Sequence, residues 1–314
     1  MLSSADVTAA RERIGDRVHR TTTLSASRIG AAAGVDLRLK CESLQKTGSF
    51  KVRGALNAVS QLTAEQRARG VVSVSAGNHA AALAWAATAV GVRCTVVMPA
   101  AAMQSKVEAS RAYGANVILH GVSSEAFEKA HQLAAEHDYV FIHPFDDAAV
   151  VAGAGTVGLE ILEEAPDVEA IIVPVGGGGL LAGIAVAVKG RNPSVRVYGV
   201  EPEGAAALRM SLDAGHMVRV VPNTIADGLA PAMTGEIPFA IARKYVDDVV
   251  LVSDAEIADA MRVLLTSAKL LAEPAGAAAT AALLGGKVGL PGGTRVVSVL
   301  SGANVGIDRL KQLI

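Results

Sequence analysis

Two hydrophobic periods alternate along this chain. Short β-branched runs at 71–75, 94–98, 116–119, 139–142, 170–175, 195–200 and 295–300 predict strands. Between them, small and apolar residues at helical spacing predict helices over 80–90, 106–113, 125–136, 155–164, 180–189, 254–271 and 275–284. Ser3 followed by Asp6 has the form of a helix capping box. Strand and helix alternate throughout, which predicts an α/β protein with mainly parallel sheets. No short-period repeat or low-complexity linker interrupts the pattern.

Two stretches, 71–98 and 170–200, share one layout: strand, small-residue loop, helix, strand. The first loop is Ser75-Ala76-Gly77-Asn78-His79, and the second is Gly176-Gly177-Gly178-Gly179. Each places uncovered backbone N–H groups at a helix start, where the dipole favours an anion. Two anion sites are therefore expected, one for a phosphate and one for a carboxylate. Residues 171–188 are uncharged and nearly long enough to span a bilayer. Pro174 and the glycines would break such a span, so a buried strand, loop and helix is expected instead.

Composition narrows the class. The chain has 314 residues, 51% hydrophobic and 19% charged, enough for about two domains with a large core. Aromatics are 3%, so Ala, Val, Leu and Ile must fill that core. The net charge is −1 with Lys and Arg scattered, which gives no footprint for nucleic acid. Cys41 and Cys94 are too few for a disulfide framework or a Cys-rich zinc site and read as free thiols of a reducing cytosol. The N-terminus shows no apolar signal core, so a cytoplasmic, membrane-free protein is expected. The histidines show no paired metal spacing, and no Gly-x-Ser-x-Gly elbow is present.

Three elements carry candidate chemistry. Gly177-x-Gly179-x-x-Ala182, with Glu201 ending the next strand, fits a relaxed dinucleotide fingerprint and supports a nicotinamide-dependent oxidoreductase. The P-loop alternative fails because no Lys-Ser/Thr follows Gly183. A packing turn without ligand is the plainest reading of the glycines. Ser75–His79 reads either as a turn in which Asn78 and His79 cap a helix, or as a carboxylate cradle. Lys51, in Thr47-Gly48-Ser49-Phe50-Lys51-Val52-Arg53-Gly54, is either a solvated lysine or a desolvated amine suited to Schiff-base chemistry. Ser301 follows a strand end, where α/β sheets present ligand-binding groups. Asp227-Gly228 and Glu273-Pro274 also read as turn and helix punctuation.

Together, and in this order, seven motifs resemble the serine/threonine dehydratase family of pyridoxal-phosphate (PLP) enzymes of fold type II. They are Ser49–Gly54, Ser75–His79, His143-Pro144-Phe145-Asp146-Asp147, Gly155-Thr156-Val157-Gly158-Leu159-Glu160, Gly176–Gly179, Glu273-Pro274-Ala275-Gly276 and Ser301-Gly302-Ala303-Asn304. The likeness covers nearly the whole chain. It implies a tryptophan synthase β-like fold of two α/β domains, each with a mainly parallel sheet. The larger would be discontinuous, 1–65 and 147–314, and would bind the cofactor. The smaller, 66–146, would be mobile. A homodimer or homotetramer is also implied.

The resemblance assigns roles. Lys51 would hold the cofactor covalently and remove the substrate's Cα proton. Phe50 would lie on one ring face and Gly228 near the other. Gly176, Gly177, Gly178 and Gly179 would bind the phosphate, Asn78 the ring hydroxyl and Ser301 the pyridine nitrogen, with Glu273 among the cofactor contacts. Ser75, Ala76, Gly77, Asn78 and His79 would hold the substrate carboxylate. The expected activity converts L-threonine to 2-oxobutanoate, or L-serine to pyruvate, with release of ammonia. A neutral hydroxyl at the ring nitrogen makes a weaker electron sink than a protonated ring, which favours β-elimination over transamination.

Three departures from related patterns refine this. Serine racemases carry a serine where Ala76 stands, so dehydration without racemisation is expected. Glu201 and the Ala205 carbonyl match two ligands of a divalent-cation site found in some relatives. Ala207 replaces a further carboxylate, so a Mg or Ca site here is doubtful. The isoleucine-sensing domain of biosynthetic relatives finds no match, so isoleucine is not expected to inhibit. A dehydratase of another β-hydroxy amino acid, such as threo-3-hydroxyaspartate, shares the same motifs, with residues near Phe145 and 230–234 choosing the substrate.

Overall fold

The computed structural model describes residues 2–314. Ten strands form two sheets. In chain order they are β1 Thr23–Ser25, β2 Asp36–Cys41, β3 Val71–Val74, β4 Cys94–Met98, β5 Asn116–Leu119, β6 Val140–Phe141, β7 Ala170–Pro174, β8 Arg196–Pro202, β9 Asp248–Val252 and β10 Arg295–Leu300. The six-stranded sheet runs β1-β2-β10-β7-β8-β9, and the four-stranded sheet runs β5-β4-β3-β6. Every pair is parallel except β1 with β2. Parallel strands are covered on both faces by their crossover helices, which is why they read as unbroken β-branched runs.

The repeated layout is present. β3, the Asn78–Ala89 helix and β4 form one unit; β7, the Gly179–Lys189 helix and β8 form the other. Residues 171–188 thus fold as strand, loop and helix, and no helix among the described residues is long and apolar enough to cross a membrane. Ser3 and Asp6 form the expected capping box, and Cys41 and Cys94 are both free and buried.

Two helix boundaries differ from expectation for local reasons. The helix expected at 155–164 starts earlier, as Ala148–Glu164. Its cap is Asp147, whose carboxylate accepts the N–H groups of Ala149 (2.7 Å) and Val150 (3.1 Å). The helix expected over 254–271 stops being regular at Val263, widens to a π turn at Leu264–Ala268 and ends at Lys269 with φ 60°. Thr266 Oγ1 bonds back to the Arg262 carbonyl at 2.7 Å, competing with the helical ladder there.

The six-stranded sheet has a core on each face. Leu37, Leu39 and Val296 lie on one, and Ile171, Val173 and Val297 on the other. A third core joins β3 and β4 to the Lys51–Ser60 helix through Val52, Ala55, Leu56 and Val59. That helix packs between the Asn78–Ala89 and Ala148–Glu164 helices, and its start is tied to the end of β10 through Phe50 and Ser301.

Candidate active site

Lys51 opens the Lys51–Ser60 helix and is half-buried. Its ammonium donates to the Pro144 carbonyl at 2.9 Å and lies 5.2 Å from the centre of the Phe50 ring. Burial pushes the amine down to about 8 from an ordinary lysine's 10.5. Burial also holds the neighbouring imidazoles neutral. His143 is lowered to about 4 and His79 well below its usual value, with the Lys51 charge adding to both. A lysine without a counter-ion, among neutral groups, is a nucleophile in waiting rather than a surface charge. It follows that cofactor-free protein should capture an aldehyde cofactor with a rate that rises about tenfold per pH unit up to pH ~8 and flattens above it. Stopped-flow absorbance across pH 6–10 checks this; a rise continuing past pH 9.5 would mean an ordinary lysine.

The glycine loop has the shape of an anion cradle. Gly178 adopts φ +91°, and a Cβ there would lie 2.7 Å from Pro238 Cβ. A Cβ on Gly177 would overlap the Phe145 ring. Only glycine keeps this loop and leaves its N–H groups bare at the start of the Gly179–Lys189 helix. The Gly177 carbonyl faces away, accepting from Gly235 N–H at 3.2 Å and Thr234 Oγ1 at 3.3 Å. Gly228 packs alongside: its carbonyl would lie 3.0 Å from a Cβ on Gly176.

The other expected residues gather here. The Phe50 N–H donates to the Ser301 carbonyl at 3.1 Å, and Ser49 bridges Gly302, so the Lys51 segment is tied to the end of β10. Ser301 is buried, its hydroxyl held only by a long 3.4 Å bond to the Ala275 carbonyl. Asn78 crosses from the other sheet. Its Nδ2 donates to Glu273 Oε1 at 2.5 Å, and its Oδ1 accepts from Asn304 at 2.8 Å. Burial raises the Glu273 carboxyl to about 7, with Asn78 opposing. Neither Asn78 nor His79 caps the helix: Gly77 is the N-cap, and both nitrogens of His79 lack a partner. Ser75 Oγ accepts the Gly77 N–H at 3.1 Å, folding the Ser75–Gly77 turn back on itself.

The pieces fit a phosphorylated aldehyde cofactor. A cradle that a Cβ would fill could take its phosphate, a counter-ion-free amine could take its aldehyde, and a buried, weakly held serine hydroxyl would be left for a ring atom. The cation site does not fit. Glu201 spends both oxygens on the N–H groups of Leu208 and Arg209, each at 2.8 Å, capping the Ala207–Ala214 helix that Ala207 begins. Beside it, Ala205 can offer only a carbonyl and Ala207 only a methyl. No group of three acidic, His or Cys side chains converges among the described residues. The same capping takes Glu201 from the ribose hydroxyl that a dinucleotide reading requires.

The segment 143–147 contributes more than its motif suggested. Pro144 supplies the carbonyl for Lys51, and Phe145 roofs the glycine loop. Asp146 caps the Glu236–Tyr245 helix through Glu236 N–H (3.0 Å) and Ile237 N–H (2.9 Å). A carbonyl ligand has no side-chain signature, so only the adjacent His-Pro-Phe-Asp-Asp pattern marks it in sequence.

Comparison with known proteins places the site in a family. A family model described as pyridoxal-phosphate dependent enzyme matches residues 14–302. The chain is 45% identical to an L-threonine ammonia-lyase of Thermotoga maritima, over 100% of this chain and 78% of that protein. It is 40% identical to the catabolic L-threonine dehydratase TdcB of Escherichia coli K12, over 98% and 94%. The structure of maize serine racemase superposes with a TM-score of 0.95 at 39% identity, covering 99% of this chain and 96% of that one. With the cradle, the desolvated lysine and a family match over nearly its full length, this chain belongs to the pyridoxal-phosphate dependent enzymes of fold type II.

Proposed function

We propose that this chain is a PLP-dependent ammonia-lyase that converts L-threonine to 2-oxobutanoate and ammonia, and L-serine to pyruvate and ammonia. The observation that carries the reading is the Lys51 amine, held by a carbonyl rather than a carboxylate between two helix-start loops. Bound PLP supplies the electron sink that takes up the charge left at Cα. Lys51 would hold the cofactor through its amine and would take the Cα proton of the substrate. Gly176–Gly179 would hold the phosphate, Phe50 and Gly228 would flank the ring, and Asn78, backed by Glu273, would meet its hydroxyl. Ser301 would meet the ring nitrogen with a neutral hydroxyl, which would leave that nitrogen uncharged. In the Ser75–His79 loop, the N–H groups of Ala76, Asn78 and His79 would hold the substrate carboxylate, those of Ser75 and Gly77 being taken by the Val97 carbonyl and Ser75 Oγ. The sheet of residues 66–146 carries that loop, and it is the smaller unit that moves against 1–65 and 147–314. A homodimer or homotetramer in the cytoplasm is part of the same reading. The test is ammonia and 2-oxo acid release from each amino acid, with borohydride trapping of the cofactor on Lys51. Turnover of neither amino acid would overturn the reading.

The likeness to a serine racemase raises a second outcome, and Ala76 decides against it. Racemisation needs a proton donor on the substrate face opposite Lys51, and a methyl group has no proton to give. D-serine should form from L-serine at under about a hundredth of the pyruvate rate. Chiral chromatography of the reaction measures both; comparable rates would mean another residue serves that face.

A further inference from the structure

One ion pair at the mouth of the site has no part in the roles above. Lys106, in the first turn of the Gln104–Ala112 helix, bonds the Asp227 carboxylate. Lys106 belongs to the layer of the four-stranded sheet. Asp227 belongs to the turn Asp227–Leu229 beside the glycine loop. The Lys106 side chain is 18% exposed and that of Asp227 46% exposed, so the pair is partly shielded from solvent. The Lys106 ammonium lies 4.0 Å from where a Cβ on Gly77 would sit, against the loop assigned to the substrate carboxylate. Asp227 directly precedes Gly228, which packs on Gly176. The pair therefore spans the space between the carboxylate loop and the phosphate cradle. Its field reaches inward: after burial and Asn78, Asp227 raises the buried Glu273 carboxyl and Lys106 lowers it.

A cation against the carboxylate loop is a natural receptor for a second carboxylate on the substrate. Here that cation already has a partner. We propose that Asp227 is a specificity-determining residue: by occupying Lys106 it disfavours β-hydroxy amino acids bearing a second carboxylate, such as L-threo-3-hydroxyaspartate, relative to threonine and serine. This rests on the ammonia-lyase reading. A dicarboxylic substrate must either evict Asp227 or leave two carboxylates sharing one ammonium, and like charges at that distance repel. A neutral hydroxyalkyl side chain meets neither cost. Removing the Asp227 charge leaves Lys106 free to receive the second carboxylate.

The experiment uses holoenzyme carrying Asp227→Asn, with Asp227→Ser as a second variant should the first not fold. It measures kcat/KM for L-threonine and for L-threo-3-hydroxyaspartate. It also measures the Kd of succinate, a dicarboxylate that cannot react, from the change in cofactor absorbance. The hydroxyaspartate-to-threonine ratio should rise about fivefold and the succinate Kd fall by a similar factor, the size expected of a half-screened charge pair. Both gains should vanish when Lys106→Met is added. An unchanged ratio with unchanged succinate Kd overturns the proposal, and so does a gain that survives Lys106→Met. The two readings fail separately. Threonine turnover with no effect at Asp227 rejects the specificity role alone. No turnover by the wild type, with succinate Kd still governed by Asp227 and Lys106, rejects the lyase reading and keeps the ion pair as the dicarboxylate filter.

Discussion

Lys51→Ala should abolish the visible absorbance of the cofactor-loaded enzyme and lower ammonia release from threonine by at least about a thousandfold. The amine serves as both anchor and base, so two losses fall on one substitution. Lys51→Arg should do no better, because a guanidinium keeps the charge and stays protonated. The protein itself should not suffer. Burial lowers the Lys51 amine from 10.5 to about 8, so the folded state binds that proton less readily than the unfolded chain. A lowered amine costs stability below pH ~8, and the cost fades as pH rises from there toward 10.5. At pH 7 the Ala variant should therefore unfold at the same or higher denaturant concentration than the wild type. Circular dichroism in urea, beside absorbance at the cofactor band, separates the outcomes. An inactive variant that is also much less stable would make Lys51 a structural residue, and one that keeps a tenth of the activity would place the base elsewhere.

The sequence carries this site unevenly, for physical reasons. Backbone-defined parts are legible because only certain residues permit them. Gly176–Gly179 announces a bare helix start, and the β-branched runs at 94–98, 116–119 and 295–300 coincide with β4, β5 and β10 to the residue. Parts that depend on tertiary meeting are not. Asn78 reads locally as a helix cap, yet its amide reaches across to Glu273 and Asn304, more than a hundred residues away in the chain. Glu201 reads as a ribose or cation ligand and instead caps a nearby helix, since nothing in its own strand reveals that the Leu208 and Arg209 N–H groups turn back onto it. Pro144 is marked only by its His-Pro-Phe-Asp-Asp motif, because its contribution is a carbonyl every residue has. The desolvation of Lys51 follows from the Lys51–Ser60 helix packing against both the Asn78–Ala89 and the Ala148–Glu164 helices, which a local period cannot show.

That helix is held by a residue whose own motif gave no hint of its surroundings. Arg53, two residues beyond Lys51, is fully buried between two carboxylates. Its Nε and Nη2 each reach Glu42 at 2.8 Å, while Nη1 and Nη2 reach Glu160 at 2.6 and 2.9 Å. Lys40, also fully buried, adds a bond to Glu160 at 2.8 Å and donates to the Thr21 carbonyl at 2.5 Å. The planar fork satisfies both acids at once and ties the first turn of the Lys51 helix to the end of β2 and to the Ala148–Glu164 helix. Arg53→Met keeps most of the volume but strands Glu42 without a charged partner and leaves Glu160 to Lys40 alone. A buried carboxylate deprived of its cation typically costs about 3–5 kcal/mol. The urea midpoint should drop accordingly, and Lys51 should lose its fixed approach to the cofactor. Arg53→Lys should recover only part, because one ammonium cannot meet four oxygens. Arg53→Met combined with Glu42→Gln should regain much of the loss, since the amide removes the stranded charge while keeping a partner for Thr21. A midpoint unchanged in Arg53→Met, or no recovery in the double variant, would show that the carboxylates find other partners and that the helix is held by packing alone.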